Sequence, residues 1–555
     1  MHLLSARQRS IKTNLFALIA ITFITIAPLS SASADDSSKN ATVQSAQKQD
    51  KTLLEKFNEK MLGLLFFDIS GGSIVVDQVD RAGNPIKDDN GEIKKKTVEV
   101  PFLVMFLLAG GIFFTFWHRW INIRLFRHAI DVVKGKFDKD GDHGEISHFR
   151  ALTSALSATV GLGNIAGVAI AVQTGGPGAV FWMIITAIFG MSSKFNSCTL
   201  AQMYRQVNPD GSISGGPMYY LDLGLRNKGK LLGYLGKILA VLYALMIMGG
   251  SIGGGNMFQA NQTTEAFMST FNLAPGSEMI IGLIMAFFVA IVILGGIKRI
   301  GLATSRIVPF MCGVYVLASI IVIIVNIHLL PQSLKLIFTQ AFSKNAFFGG
   351  IMGVMVKGIT RAAFSNEAGL GSAAIAHAAA KTNEPVREGV VAMLGPFIDT
   401  IIICVMTAMV VITTGVWNDP TLADVHGNVG VSITTVAFAT VMPWFPYVLT
   451  VSIALFAYST MISWCYYGER GWIYLLDHFN GIGLKTVNVF RIAFVVAVVF
   501  GAIKPLKEVL TFTDIMVLSL AFPNIIGGII LAPEVRKLVL DYWGRLKSGQ
   551  MKPAD

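Results

Sequence analysis

Two short glycine-rich stretches place polar side chains in the middle of apolar sequence. The first, Gly161–Gly167, reads GLGNIAG and carries Asn164. The second, Phe364–Ser372, reads FSNEAGLGS and carries Asn366 and Glu367. Carbonyl and amide oxygens suit hard cations, and unpaired backbone N–H groups at a helix start suit a carboxylate. The two stretches are therefore candidates for binding a cation and a small molecule that has a carboxylate group.

A break in a membrane-spanning helix would position both sets of groups. Each glycine costs a helix roughly 0.5 to 1 kcal/mol relative to alanine, and inside a bilayer the backbone groups that a break releases need other partners. Two glycine-interrupted spans at corresponding places in two halves of a chain mark the binding site of many secondary transporters. Close packing of helices through small residues is the alternative. The polar residues in both stretches favour the binding site.

The composition is that of a polytopic membrane protein. The chain has 555 residues, of which 53% are hydrophobic and 14% charged, and this is more apolar than a soluble protein of that length. The net charge of +11 does not indicate nucleic-acid binding, because Lys and Arg fall in short loops between apolar spans. No disulfide framework or CxxC metal site is predicted from the widely spaced cysteines Cys198, Cys312, Cys404 and Cys465.

We expect an all-α fold with about eleven spans, each long enough to cross about 30 Å of hydrocarbon. By hydropathy they are residues 101–117, 150–172, 177–197, 232–262, 278–297, 303–327, 346–380, 389–415, 445–466, 487–503 and 511–531. Residues 1–34 have the basic start, apolar run and Ala32–Ser33–Ala34 ending of a cleavable signal peptide, with an uncleaved first helix as the alternative. Residues 35–100 form a polar external segment, in which Ser73–Val79 and Ile93–Val100 could pair as a β-hairpin.

The basic residues of the loops predict the orientation. Most of them lie on one side, which by the positive-inside rule puts the mature N-terminus outside and the C-terminus inside the bacterial cytoplasmic (inner) membrane. The first broken helix then runs outward and the second runs inward. Apart from the first span, ten helices form two sets of five with opposite topology, the inverted-repeat plan of many transporters. The predicted divisions are a first span with an internal loop at 101–149, five-helix repeats at 150–345 and 346–533, and an internal tail at 534–555.

Four motifs together resemble the alanine or glycine:cation symporter family. They are ATVGLGNIAG at Ala158–Gly167, GGPGAVFWM at Gly175–Met183, SGGPMYY at Ser214–Tyr220 and FSNEAGLGS at Phe364–Ser372. The resemblance covers about Ile146–Pro533 and leaves the external segment outside it; Ile184 stands where the family signature usually has Trp. It implies a LeuT-type fold of two inverted five-helix repeats with one extra N-terminal span. It also implies a symporter that takes up alanine or glycine with sodium by alternating access.

The resemblance further implies which residues form the site. For the amino-acid substrate they are Thr159, Gly161, Gly163, Asn164, Gln259, Phe364, Ser365 and Asn366. For sodium they are Ser157, Thr159, Val160, Asn164, Ser459 and Thr460. Helix chemistry points independently to part of this set, because N–H groups freed after a break suit a carboxylate and carbonyls freed before it suit sodium. If Asn164 is an oxygen ligand for sodium, Asn164→Asp should be milder than Asn164→Ala.

The carboxylates inside the predicted spans allow either sodium or a proton as the coupling ion. Glu367 and Asp399 are the most deeply embedded acidic residues, and Arg361 and Lys357 are candidate partners for them. Glu367 and His377 could carry protons, so proton coupling is the alternative to sodium coupling. A packed, hydrogen-bonded role for His377 is the simpler hypothesis.

Two other classes of function fit the sequence less well. A receptor that binds an amino acid without transporting it would need an output module, and only about twenty residues follow Pro533. The sequence GGSIG at Gly249–Gly253 matches the nucleophile elbow of hydrolases, but it lies inside a predicted span rather than on a strand-turn-helix. No enzyme is therefore predicted.

Overall fold

A computed structural model describes residues 66–79, 85–88, 90–139, 141–208, 211–343, 349–419 and 429–551. It also describes the individual residues 60, 61, 63, 422 and 553. Residues 65–555 form one compact unit, which contains every element named below. The predicted signal peptide, residues 1–34, lies outside the described residues.

The described chain is mostly helical. The helices in chain order are α1 Phe102–Trp117, α2 Ile121–Arg124, α3 Phe126–Val133, α4 His148–Thr159, α5 Val168–Gly175, α6 Gly178–Met203, α7 Pro217–Tyr219, α8 Lys230–Ile252, α9 Phe258–Phe271, α10 Ser277–Ile293, α11 Gly296–Val325, α12 Leu330–Ala341, α13 Gly350–Asn366, α14 Ala373–Ala378, α15 Pro385–Ala392, α16 Leu394–Pro396, α17 Val405–Thr413, α18 Val429–Ala439, α19 Phe445–Asn480, α20 Gly483–Ile503, α21 Leu506–Ser519 and α22 Ala521–Lys547. Further helical turns are the π-helical segments Gly163–Gly167, Tyr220–Gly224, Gly253–Met257 and Phe397–Cys404 and the 3-10 turns Ile327–Leu329 and Val416–Asn418.

Several of these helices have the length and hydropathy of membrane spans. Among the described residues, seven helices pass on both criteria, and the count is eight if the bent pair α4 and Gly163–Gly175 is one span. The helices α1 and α10 are apolar but shorter. Each of the eleven predicted segments overlaps a described helix. The number of crossings stays a prediction, because it depends on the shorter helices.

The first glycine-rich stretch interrupts a helix at its middle. The side chain of Ser147 accepts the N–H of Arg150 and caps α4, which ends at Thr159. The π-helical segment Gly163–Gly167 follows, and α5 continues from it after a bend of 54°. A π-helical turn has fewer suitable partners for its backbone groups than an α-helix and is frequent at functional sites. At the bend the N–H groups of Gly161 and Leu162 donate to the side chains of Asn164 and Gln259 instead of to helical carbonyls.

The second glycine-rich stretch separates α13 from α14. Glu367 follows α13 with φ +54°, and Gly369 and Gly371 have φ +85° and +80°. Glycine adopts positive φ without a steric penalty, whereas a glutamate there costs about 1 to 3 kcal/mol. The hydroxyl of Ser372 donates a hydrogen bond to the Glu367 carboxylate and supports this turn. The two breaks meet in space, since a Cβ built on Gly163 would lie 3.3 Å from the ring of Phe364.

A short hairpin precedes α1. Strands β1 Val75–Asp77 and β2 Lys95–Thr97 pair antiparallel, with Val75 opposite Thr97. A second pair, β3 Gln206–Val207 and β4 Ile213–Ser214, closes the loop after α6. The side chain of Asp68 accepts the N–H groups of Ser70, Gly72 and Val100 at 2.8 to 2.9 Å, and so it ties the hairpin to the start of α1.

The hairpin of β1 and β2 packs on the first half of α13. Val100 is buried with Met355 and Val356 in one apolar cluster, and Ile74 of the hairpin packs against it. Gly349 has φ +81°, and a Cβ on it would lie 3.2 Å from Val98. Glycine at this position therefore permits the close approach of the hairpin to the beginning of α13.

Candidate functional site

A small cavity lies at the first break, between the end of α4, the π-helical segment Gly253–Met257, α13 and α19. Its lining consists of small residues and a few large polar or aromatic ones: Ala158, Thr159, Gly161, Gly163, Gly254, Gln259, Phe364 and Trp464. Five of the residues predicted to bind the substrate, Thr159, Gly161, Gly163, Gln259 and Phe364, are in this lining. A cavity between facing helices is a usual place for a small-molecule site.

Side chains from two other helices support the broken backbone. The amide oxygen of Gln259 accepts the N–H of Leu162 at 3.2 Å, and its amide nitrogen donates to the carbonyl of Gly254 at 3.0 Å. The indole nitrogen of Trp464 donates to the carbonyl of Ala158 at 3.1 Å. The break is thus held open by Gln259 and Trp464, and both line the cavity. A bound molecule would therefore meet side chains whose positions are already set.

Asn164 connects the first break to a buried carboxylate. Its amide oxygen accepts the N–H of Gly161 at 2.9 Å, and its amide nitrogen donates to an Asp399 carboxylate oxygen at 2.6 Å and to the Asp399 carbonyl at 3.2 Å. Asp399 belongs to the π-helical segment Phe397–Cys404 and is fully buried. Asn164 therefore bridges the broken helix and the chain that follows α16.

The second break supplies further donors to the same carboxylate. Ser365 and Thr400 each donate a hydroxyl to the other Asp399 oxygen at 2.8 Å. The amide nitrogen of Asn366 donates to the Thr400 hydroxyl at 3.0 Å. Asn164, Ser365 and Asn366 thus form a polar cluster around Asp399. These three predicted substrate residues do not belong to the cavity lining described above.

Three predicted sodium residues, Ser157, Ser459 and Thr460, meet where α4 crosses α19, and a fourth, Val160, follows α4. The hydroxyl of Ser157 donates to the Ser459 carbonyl at 2.6 Å, and the hydroxyl of Thr460 donates to the Ser157 carbonyl at 2.9 Å. Val160, the residue after α4, has ψ 88° instead of a helical value. Carbonyl and hydroxyl oxygens are the ligands that a hard cation takes. The donor set at this crossing, the oxygens of Ser157, Ser459 and Thr460, therefore fits sodium.

The oxygen cluster of Ser157, Ser459 and Thr460, which we call the sodium cluster after its predicted ligand, and the cavity both border Gly161. A Cβ on Gly161 would lie 2.5 Å from the Thr460 hydroxyl oxygen and 3.2 Å from the Gln259 amide oxygen. Glycine is thus the residue that lets the oxygen cluster and the cavity lie side by side. The hydroxyl of Thr159 donates to the carbonyls of Ala155 and Leu156 in its own helix, at 3.2 and 3.3 Å.

The predicted partners of the embedded carboxylates are wrong. Arg361 forms an ion pair with Asp514 at 2.7 Å, because α13 packs on α21 at this level. Among the described residues, the side-chain hydrogen bonds to Asp399 come from amide and hydroxyl groups, not from a basic residue. The nearby cation is instead Lys194 of α6, whose ammonium donates to the Asn366 carbonyl at 3.1 Å and is almost fully buried.

His377 is buried and hydrogen-bonded, as the simpler hypothesis expected. Its ring nitrogen lies 2.5 Å from one Glu388 carboxylate oxygen, and His148 bonds the other oxygen. The three side chains join the end of α14, the start of α15 and the start of α4. They do not line the cavity.

Three residues of the site were missed or underrated by sequence reasoning. Trp464 lines the cavity, Lys194 bonds the second break, and Asp399 is the centre of the polar cluster. A single lysine within the apolar sequence of α6 is a sequence signal for a buried functional or paired charge. Trp464 has no such signal, because aromatic residues are common on any membrane helix.

Comparison with known proteins shows to which family this chain belongs. A model of the sodium:alanine symporter family matches residues 88–555. The chain belongs to this family. The resemblance drawn from the four motifs is therefore confirmed. The match also reaches further than those motifs, since it takes in the last residues of the external segment and the C-terminal tail.

Several members of the sodium:alanine symporter family align along most of their length. The sodium/alanine symporter AgcS of Methanococcus maripaludis is 42% identical over 78% of this chain and 92% of its own. The putative sodium/proton-dependent alanine carrier protein YrbD of Bacillus subtilis is 34% identical over 80% of this chain and 90% of its own. The probable sodium/glutamine symporter GlnT of the same species is 33% identical over 81% of this chain and 89% of its own. These relatives are named as symporters or carriers and not as enzymes, and the chain is a multi-pass membrane transporter.

Proposed function

We propose that this symporter takes up alanine or glycine with sodium by alternating access. The observation that carries the proposal is the shared position of Gly161, which separates a small cavity from an oxygen cluster suited to sodium. A substrate and an ion at these two places would lie on either side of one glycine. Each would then stabilise the backbone arrangement that the other needs, and this gives positive coupling between the two ligands.

The residues that line the cavity favour a small amino acid. Phe364 faces it and is held by an edge-to-face contact with Phe258, with ring centroids 5.5 Å apart. Two glycines, Gly163 and Gly254, lie opposite Phe364 in the lining. A Cβ on Gly163 would lie 3.3 Å from Phe364, and a Cβ on Gly254 would lie 2.9 Å from Val517. Alanine and glycine fit such a space better than the larger glutamine named for the relative GlnT. The substrate carboxylate would approach the N–H groups of Gly161 and Leu162, where it would compete with the side-chain oxygens of Asn164 and Gln259.

The polar cluster around Asp399 is a second candidate place for a cation. Its carboxylate is buried, and the described hydrogen bonds to it come from the neutral groups of Asn164, Ser365 and Thr400. A buried carboxylate is stabilised by a neighbouring cation. Sodium would add to the positive charge of the nearby Lys194, with the Asp399 carboxylate as its oxygen ligand.

Proton coupling is the second candidate function. Its supporting observation is the same buried Asp399, because a carboxylate with neutral partners can be neutralised by a proton instead of by sodium. The relative YrbD is named as sodium/proton-dependent.

The fold, topology and location complete the proposal. We infer the LeuT-type arrangement of two inverted five-helix repeats, with a further span at α1 and the broken helices α4–α5 and α13–α14 at its centre. Two interrupted helices that meet at one cavity support this arrangement. The distribution of basic residues supports a C-terminus on the inner side of a bacterial cytoplasmic membrane.

Uptake into proteoliposomes tests the function. We expect labelled alanine to accumulate when sodium is placed outside, and a panel of unlabelled amino acids to show competition by glycine but weak competition by glutamine. Uptake that is equal with and without a sodium gradient, or that follows a pH gradient alone, would replace sodium coupling by proton coupling. Alanine binding without counterflow would indicate a receptor.

Replacing Thr460 by valine should weaken sodium binding. The change keeps the shape of the side chain but removes the hydroxyl oxygen that lies between Ser157 and Gly161. The loss of one polar contact in a buried site, about 1 to 1.5 kcal/mol, should raise the sodium concentration for half-maximal uptake roughly 5- to 10-fold. Thr450→Val is the matched control, because Thr450 is buried on the same helix and bonds Thr270 and Pro446 instead. Equal sodium dependence of the two variants would remove Thr460 from the sodium site.

The structure reverses the order expected for substitutions at Asn164. The amide nitrogen of Asn164 lies 2.6 Å from Asp399, so Asn164→Asp would place two carboxylates in contact. One of them must take up a proton to avoid like-charge repulsion. We therefore expect Asn164→Asp to be worse than Asn164→Ala at neutral pH and to recover as the pH falls. Sodium titrations of alanine uptake at several pH values measure this, and a milder, pH-independent Asn164→Asp would contradict the arrangement.

A further inference from the structure

Four basic side chains at the end of α1 and along α22 share one surface. These residues, which we call the basic face, are Arg119, Arg124, Arg536 and Lys547. Arg124 and Lys547 lie over the ring of Trp543, at 4.7 and 5.1 Å from its centroid. Arg536 lies 5.1 Å from the centroid of Trp117, and the guanidinium of Arg124 reaches the Arg119 carbonyl at 3.5 Å. Trp543 therefore holds Arg124 and Lys547 together, Trp117 contacts Arg536, and Arg119 is joined to Arg124 through its backbone carbonyl.

The carboxylates near the basic face are already paired with other residues. Glu534 bonds Lys228 at 2.6 Å and the hydroxyl of Tyr204 at 2.5 Å. Asp541 bonds Arg545 at 2.8 Å, and Asp131 bonds Lys136 at 2.7 Å. Within the described ranges, the four cations of the basic face form no ion pair of 4.0 Å or shorter. Their charge is thus left for a group from outside the chain.

The chain turns sharply at the basic face. Arg119 and Trp120 have φ +54° and +56°, a conformation that L-residues rarely adopt, and they redirect the backbone from α1 into α2. Next to the arginines, Phe116 and Ile123 expose 60% and 67% of their surface. Basic and large apolar side chains on one exposed surface are typical of helices that lie in the boundary between lipid headgroups and hydrocarbon. Tryptophans are enriched at the same level.

The helix after the turn is fixed against α22. His128 of α3 bonds the buried Tyr542 hydroxyl at 2.7 Å. Burial, with the nearby Arg387 guanidinium, lowers the pKa of His128 to about 4. The imidazole is therefore neutral at physiological pH, and this contact does not change with ordinary variation in pH. Arg124 of α2 and Lys547 of α22 consequently keep their relative positions, and the basic face is formed in advance.

We propose that the basic face binds the headgroup of an anionic phospholipid, with the acyl chains lying along Phe116 and Ile123. Guanidinium groups match phosphate oxygens in charge and in bidentate geometry. Exposed apolar side chains beside the cations favour a lipid over a soluble phosphate, because a soluble anion would leave them uncovered. The site is separate from the cavity and from the sodium cluster.

Native mass spectrometry of the full-length protein tests the proposal. Phosphatidylglycerol and phosphatidylcholine with the same acyl chains are titrated against the purified protein in detergent. We expect phosphatidylglycerol to bind about 10- to 100-fold more tightly, because three or four basic groups contact its charge. The combined variant Arg119→Gln, Arg124→Gln and Arg536→Gln should lose this preference. The control Lys335→Gln, Lys504→Gln and Lys507→Gln removes the same charge from the loops predicted to lie opposite and should keep it.

Each other outcome overturns the lipid site. Equal binding of both lipids to the unchanged protein would show an apolar contact without headgroup recognition. A preference that survives in the Arg variant would place the anion elsewhere. Displacement of phosphatidylglycerol by inorganic phosphate at equal concentration would identify a soluble-anion site. Elution as a single species in size-exclusion chromatography and unchanged alanine uptake confirm that the variants are folded.

Discussion

Sodium-driven alanine uptake should be almost lost when Asp399 is replaced by asparagine. The carboxylate is fully buried, and among the described residues it accepts side-chain hydrogen bonds from the neutral groups of Asn164, Ser365 and Thr400. Asparagine keeps the shape but removes the charge that would bind the cation. The loss of a charged contact, about 2 to 4 kcal/mol, corresponds to roughly 30- to 700-fold in sodium affinity.

Two measurements separate this role from a loss of folding. Sodium-dependent thermal stabilisation of purified protein should vanish in Asp399→Asn, whereas Asp541→Asn, which removes the same charge from an exposed side chain, should behave like the unchanged protein. Very high sodium should restore part of the alanine uptake, because the remaining ligands are intact. If uptake in Asp399→Asn becomes independent of sodium but stays concentrative, the residue carries a proton and the coupling ion must be reassigned.

Alanine in place of Gly161 should weaken sodium and substrate binding together. The added methyl group would lie 2.5 Å from the Thr460 hydroxyl and 3.2 Å from the Gln259 amide oxygen, on the boundary between the sodium cluster and the cavity. Either Thr460 must leave the Ser157 carbonyl or the backbone must move. Overpacking of this kind costs about 1 to 3 kcal/mol, or roughly 5- to 150-fold in affinity.

Gly167→Ala is the matched control for this experiment. It lies six residues later, in the π-helical segment Gly163–Gly167, but a Cβ there would meet no atom outside its own helix within 4 Å. We expect that variant to transport normally. Isothermal titration of alanine at several sodium concentrations measures both affinities in one series. Loss of alanine affinity at saturating sodium, with unchanged sodium affinity, would show that Gly161 borders the cavity alone.

The sequence predicted the two breaks because glycines and polar residues inside apolar runs are local signals. The residues Asn164, Phe364 and Gln259 were found from the motifs that surround these breaks. Their partners could not be found in this way. Asn164 and Asp399 are 235 positions apart, and hydropathy does not tell which helices pack together. The pairing of Arg361 with Asp514 was missed for the same reason, since α13 contacts α21 only in the folded chain.

Roles at the site were harder to predict than the residues that form it. The sequence treated Asn164 as a simple oxygen ligand, but its amide oxygen already accepts the N–H of Gly161 and its nitrogen faces Asp399. Ser365 and Asn366 were expected beside the substrate, and they bond Asp399 and Thr400. Such assignments depend on side-chain direction at an irregular backbone, where the helical period of 3.6 residues no longer applies.

The hairpin of β1 and β2 offers a site from which the position of α13 can be observed. Val98 lies over Gly349, and Val100 shares a cluster with Met355 and Val356 of α13. Any displacement of the first half of α13 must therefore carry the hairpin with it or expose this cluster to solvent. Lys96 is exposed on β2. A spin label or fluorophore attached there would report the position of α13 during transport while leaving the membrane-embedded residues unmodified.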